Sequence, residues 1–308
     1  MKPIRQLDFL GKRKLAFIFS SLLLLLSIVS FFVNGLSFGI DFTGGSVYEM
    51  HFAESVDLTK MRSTLAERGF ADANVQHFGS SEDVLLRLKP MENVNQQALG
   101  QQVLEAANAS QAQPGEMRRV EFVGPQVGDE LLDDGGLALL FAFIGVMIYV
   151  SLRFEWKFSV GAVVALIHDS VITLGFFSIT GMEFDMTVLS AILAIIGYSI
   201  NDTIVVYDRI RETFRTSRIT DVEEITNLAL NETLGRTILT SFTVFLTVLA
   251  LVFLGGKTIH GFAIAMLIGV IVGTYSSIYV ASAITLALGL DKEDLLVAQK
   301  DNILDELP

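Results

Sequence analysis

Cysteine is absent from this 308-residue chain, which excludes disulfides, zinc–thiolate sites and cysteine nucleophiles. That absence fits either side of a bacterial inner membrane. Basic residues are scarce, 22 against 34 acidic ones, and a net charge of −12 argues against nucleic-acid binding, which needs a basic face. No His-Glu-x-x-His pair and no phosphate-binding glycine loop is present. Tyr207-Asp208 matches half of an intramembrane aspartyl protease, but the Gly-x-Gly-Asp partner is missing, because Ala165-Leu166-Ile167 precedes His168-Asp169. The expectation is a protein with no catalytic residues, no metal and no cofactor, whose work is driven by an ion gradient or a partner.

Long apolar runs, by contrast, are abundant. Half of the residues (51%) are hydrophobic, and six stretches are long enough to cross a bilayer: 15–34, 136–152, 158–180, 186–207, 237–255 and 261–288. Lys2, Arg5, Lys12, Arg13 and Lys14 precede the first of these. That run exceeds the ~7–15 residues of a signal-peptide core, and no small-x-small site follows at Asn34-Gly35-Leu36, so an uncleaved anchor is expected. Basic residues also crowd 153–157 and 208–236 (Arg209, Arg211, Arg215, Arg218, Arg236), whereas 181–185 and 256–260 hold only Lys257. The positive-inside rule then puts both termini in the cytoplasm. Four regions follow: 1–35 with the first span, an outer (periplasmic) domain 36–133, a five-helix bundle 134–288 and an acidic cytoplasmic tail 289–308.

The outer region reads as a small α+β domain. Ser46 to Ala53 alternates as a strand, with Tyr48, Met50 and Phe52 on one face and Val47, Glu49 and His51 on the other. Asp57 to Arg68 has helical spacing and stops at Gly69; Asn74 to Phe78 and Val84 to Leu88 flank a Gly79-Ser80-Ser81 turn. A helix over Val94 to Ala107 and a strand over Arg118 to Val123 complete a βαββαβ, ferredoxin-like order. Between the fourth and fifth spans, a Thr220/Glu223 capping box and a stripe of Val222, Ile225, Leu228 and Ala229 predict a short helix on the cytoplasmic surface.

Asp202 stands out within this pattern. It lies in the fourth span, in a polar island from Gly197 to Thr203, where a carboxylate costs up to roughly 2.5–3.5 kcal/mol on insertion scales. Two readings weigh against each other, a proton site and a static pair with Arg or Asn. Arg236 opens the fifth span at the same end of the bundle, either as the salt-bridge partner of Asp202 or as an interface anchor. His168 and Asp169 lie mid-span in the third helix, as a relay to Asp202 or as an interhelical hydrogen bond. Ladders of small residues (Gly161, Ala165, Asp169, Thr173; Ser190, Ala194, Tyr198, Asp202; Gly261 to Ala281) permit close helix approach or sliding. Gly197, Gly269 and Gly273 are the expected helix-packing glycines.

Three motifs carry a resemblance. Gly39-Ile40-Asp41-Phe42-Thr43-Gly44-Gly45, then Phe122-Val123-Gly124-Pro125-Gln126-Val127-Gly128, and finally the run Gly197 to Glu212 resemble those of the SecD/SecF protein-export membrane family, the last in its SecF version. The resemblance implies an inner-membrane subunit that pairs with SecD, associates with the SecYEG channel, is related to the resistance–nodulation–division transporters, and uses the proton gradient to draw unfolded secretory polypeptides outward. By motif, Asp202 would be the proton-path acid, Arg236 its arginine and Asn201 a polar neighbour. Two other classes stay open: a proton-driven exporter of small molecules or lipids, and a passive scaffold.

Overall fold

The structure, a computed structural model, describes residues 7–91, 95–217, 219 and 221–291. In chain order, a 3-10 turn (Leu10–Lys12) leads into α1 (Arg13–Val33), followed by β1 (Ser37–Phe38), a single turn α2 (Ile40–Thr43) and β2 (Gly45–His51). Then come α3 (Leu58–Glu67), β3 (Asn74–Phe78), β4 (Ser80–Leu88), α4 (Gln96–Asn108) and β5 (Glu116–Val123). The rest is helical: α5 (Pro125–Arg153), α6 (Trp156–Thr180), α7 (Met186–Thr216), α8 (Val222–Leu254), α9 (His260–Ser276) and α10 (Ser282–Ala287), with a short β6 (Glu183–Phe184) before α7. A π turn, Ser277–Ala281, makes α9 and α10 one continuous rod. Six helices are thus long and apolar enough to span a membrane.

Local chemistry sets the helix ends. Asp57 and Asn95 cap α3 and α4 by accepting backbone N–H groups of the first turn. Asp185 does the same for α7, Pro125 occupies the first turn of α5, and Gly181 ends α6 at φ +66°.

Two expectations fail here. The second helix starts at Pro125, well before 136, and no separate surface helix is present at 209–235 among the described residues. That polar stretch instead extends α7 and α8, and the second extension is capped by Asp221, whose side chain accepts the Glu223 N–H. Thr220 and Val94 lie outside the described residues. The reason is that a membrane boundary does not end a helix, whose backbone bonds are as well satisfied in water. At 1.5 Å per residue the 31 residues of α7 run about 46 Å, beyond a ~30 Å hydrocarbon core. Ile225, Ala229 and Leu230 of the extension pack with Val206, Tyr207 and Ile210, which keeps the two arms together.

β2 to β5 form one antiparallel sheet in the order β3-β4-β2-β5. Tyr48, Met50, Val75, Val84 and Leu86 face α3 and α4, sharing a core with Met61, Leu65 and Val103. The opposite face carries Val47 and Leu85 against Ile40. In the bundle α6 is central, more than half of its side chains being buried, with α1, α5, α7, α9 and α10 packed against it.

Candidate functional site

Asp202 is 3% exposed and faces α8. Thr240 and Ser241 donate long hydrogen bonds to its two carboxylate oxygens, both 3.4 Å. Ser241 in turn accepts from Tyr198 at 3.0 Å and from Thr274 of α9 at 2.7 Å, so hydroxyls of α7 and α9 meet at the serine that bonds the carboxylate. Arg236 makes no ion pair with Asp202 within 4 Å among the described residues, so of its two readings the direct salt bridge is not formed here. It lies one turn before Thr240 on α8, and its side chain is exposed. Its backbone carbonyl accepts from Thr240 at 3.0 Å, so Thr240 lies between the two residues. Asn201 is not part of the site either: it is exposed on the outside of the bundle. One residue along a helix turns the side chain by about 100°, enough to move it from a groove to the surface.

His168 and Asp169 form a second centre, in the groove between α6, α7 and α9. Asp169 is fully buried and accepts from Ser199 at 2.7 Å and Ser276 at 2.8 Å, with His168 Nδ1 at 3.0 Å. The His168 ring stacks on Tyr275, 6.3 Å between centroids, and Tyr275 donates to the Ala16 carbonyl of α1. Thr203 and Ser277 share a hydrogen bond nearby, at the start of the π turn. Among the described residues no chain of hydrogen bonds joins the Asp169 centre to Asp202; of the two readings, Asp169 makes the interhelical hydrogen bonds and not a relay.

Of the packing glycines, two meet another helix. A Cβ at Gly269 would lie 2.2 Å from Ile195 Cδ1, and one at Gly273 would lie 3.2 Å from Ser199 and 3.5 Å from Asp169 Oδ2. Gly197, by contrast, has nothing within 4 Å of that position and faces outward, so it packs no helix of this chain.

The two glycine motifs meet each other. Gly44 (φ +67°) lies against Pro125, Gly45 (φ +122°) against the Leu88 carbonyl, and Gly128 against the Gly44 nitrogen. Gly39 donates its N–H to the Phe184 carbonyl at 2.8 Å, and Asp41 accepts the Met186 N–H at the start of α7 at 2.8 Å. Gly124 is the N-cap of α5. Phe42 stacks on Phe184 alongside, Phe38 meets both rings edge-on, and Arg87 of β4 pairs with Glu183. These residues form the joint between sheet and bundle. The spacing Gly35-Leu36-Ser37-Phe38-Gly39 matches Gly-x-Ser-x-Gly by letter alone, since Ser37 lies in extended β1 and not at a strand-to-helix elbow.

The sequence reading missed Ser199 and Ser276 as donors to Asp169, and Tyr198 and Thr274 as the outer ring of the Asp202 site. A signal was present in Thr274-Tyr275-Ser276-Ser277, four adjacent hydroxyl-bearing residues in a mostly apolar helix.

Comparison with known proteins bears on this architecture. Residues 103–291 match the family described as protein export membrane protein SecD/SecF, C-terminal, and residues 29–56 match the SecD/SecF GG motif. The chain is 47% identical to the protein translocase subunit SecF of Vibrio alginolyticus, over 100% of this chain and 99% of that one. It is 44% identical to its Pseudomonas aeruginosa counterpart, over 99% of both. Among solved structures, SecDF, a translocon-associated membrane protein from Thermus thermophilus, aligns with a TM-score of 0.83 at 37% identity, over 92% of this chain. SecDF in a super-membrane-facing form aligns over the same 92% with a TM-score of 0.67 at 36% identity. This chain spans only 38% and 39% of those two SecDF chains. With the family match covering more than half of its length, and the glycine motif seated at the joint, the chain belongs to the SecD/SecF family of protein export membrane proteins.

Proposed function

We propose that this chain is a proton-coupled auxiliary subunit of the Sec protein translocase, working in the inner membrane beside a SecD partner and the SecYEG channel. In this reading both termini are cytoplasmic, and the sheet region is a periplasmic, ferredoxin-like domain that transmits bundle motion to an emerging unfolded polypeptide. The observation that carries the proposal is the Asp202 site, a buried carboxylate surrounded by hydroxyls and, among the described residues, without a cation within 4 Å. A hydroxyl donates to a carboxylate and, after rotating, accepts from a carboxylic acid, so the same groups serve both protonation states. Each change of state re-sorts hydrogen bonds among α7, α8 and α9. A proton crossing 100 mV releases about 2.3 kcal/mol, enough to bias a bundle with two packings of similar energy. The unequal fit to the two SecDF forms, at near-equal identity and coverage, supports a family architecture with more than one arrangement.

Partnering is supported by the outward face of α7. Ser190, Ala194, Gly197 and Asn201 are all exposed along it, and a bare glycine and an amide are poor company for lipid. The test is export of a secreted protein into inverted vesicles carrying Asp202→Asn beside its partner subunit, with ATP constant and the proton gradient on or off. The proposal expects normal assembly and loss of the gradient-dependent increment. If the increment survives, the subunit is a scaffold. Drug or lipid efflux without any export defect would place it with the exporters.

A further inference from the structure

The arginine-rich end of α7 is used neither by the Asp202 site nor by the joint. A cavity of about 310 Å³ opens there, lined by Arg153, Asp208, Arg211, Glu212, Arg215 and Thr216. Its acids are already engaged: Asp208 pairs with Arg153 at 3.1 Å, and Glu212 with Arg209 at 2.7 Å. Arg211 donates to the Arg153 carbonyl at 2.9 Å and lies over the Phe154 ring at 5.2 Å, with the Arg153 guanidinium also at that ring, 5.5 Å away. Neither Arg211 nor Arg215 has a carboxylate within 4 Å among the described residues. They are four apart on one helix, a like-charge spacing that disfavours the helix unless an anion sits between them. Phe154 and the carbonyl of Arg153 hold the Arg211 guanidinium in place, so its remaining N–H groups are presented in a fixed fork.

The surroundings indicate which anion. Leu152 is 85% exposed and Trp156 56% exposed, on either side of the α5–α6 turn that supplies Arg153. An exposed leucine and tryptophan at the end of membrane helices mark the headgroup level, where a phosphate arrives attached to acyl chains. We infer that Arg211 and Arg215, with Arg153 beside them, bind the phosphate of an anionic phospholipid at the membrane surface.

Trp156 is the single tryptophan of the chain, which makes its fluorescence a reporter for the site. The full-length chain is placed in phosphatidylcholine vesicles containing a small fraction of either brominated phosphatidylglycerol or brominated phosphatidylcholine, and quenching of Trp156 is compared. At ~1 kcal/mol for each arginine near the surface, the two arginines give the anionic lipid an advantage of about 25-fold. Arg215→Gln should reduce that advantage about fivefold. Arg215 is exposed and makes no hydrogen bond or ion pair among the described residues, so this variant should leave the fold intact. The double variant R211Q/R215Q should abolish the preference. Equal quenching by the two lipids, or an unchanged preference in Arg215→Gln, overturns the assignment. Loss of the preference in millimolar inorganic phosphate would overturn the lipid source and make the ligand a soluble phosphate.

Discussion

Replacing Lys257 by methionine should loosen the sheet domain from the bundle. Lys257, in the α8–α9 loop, donates to Asp83 of β4 at 2.9 Å and lies 4.4 Å from the Phe78 ring. Gly79 (φ +81°) leaves room for it, since a Cβ there would lie 2.3 Å from Lys257 Cε. Partial burial pushes the Asp83 carboxyl up, but hydrogen bonds from Lys257, His51 and Ser80, and the Lys257 charge, outweigh it and hold the group well below the usual carboxylate range. A hydrogen bond to a charged group is worth about 1.5–3 kcal/mol and a cation–π contact about 0.5–1. The Lys257 side chain is 33% exposed, so solvent screening argues for the low end, about 1.5–2 kcal/mol. That is a roughly 10- to 30-fold rise in the undocked population. The cysteine-free chain permits spin labels at cysteines introduced for exposed Glu67 and Leu254, whose separation pulsed electron resonance can measure. The wild type should give one narrow distance, and Lys257→Met a broadened or second one.

The pH dependence has a definite sign. A carboxyl whose folded value is depressed stabilises docking above its unfolded value, ~3.9, and loses that contribution as pH falls through the folded value. The distance should therefore stay constant from pH 5 to 8 and broaden only in strong acid. Identical distributions for the wild type and Lys257→Met would refute the reasoning, because the latch would then carry no docking energy.

Gly269→Ala should destabilise the bundle by about 1–3 kcal/mol through the clash with Ile195, and Ile195→Ala in the same chain should recover most of it, as read from thermal aggregation in detergent. Gly45→Ala should cost at least ~1–3 kcal/mol, because φ is +122° and the added Cβ would sit 2.4 Å from a backbone carbonyl that cannot move aside. Gly136→Ala is its control: with open space around it in α5, it should leave protease resistance equal or improved. Asp169→Ala strips the acceptor from Ser199, Ser276 and His168 at once and should lower the thermal midpoint far more than Asp169→Asn, which keeps one carbonyl oxygen in place.

Much of the fold was legible because its signals are local. Hydropathy alone located six spans, and the alternation of Tyr48, Met50 and Phe52 with Val47 and Glu49 placed β2 with its correct inner face. The failures were of another kind. Polarity was taken as the end of a helix at 209–235, whereas α7 and α8 run on because their arms bury Ile225 and Leu230 against each other. No spacing rule reports such a contact between distant segments.

The sequence by itself determined that Asp202 is costly in its span and that six helices and a small α+β region make up the chain, while Gly44, Gly45 and Gly128 stood out only through the motifs of a resemblance. Only the tertiary structure decided what each of these faces. Helix crossing put Asp202 against Thr240 and Ser241 and left Arg236 outside, turned Asn201 and Gly197 to the surface, and gave Asp169 its own pair of serines. Chain folding brought Gly44 and Gly128, more than eighty residues apart, into backbone contact. Burial cost and backbone freedom belong to a residue and its neighbours in the chain. The groove a side chain enters is set by the angle and register of helices that meet only in the folded protein.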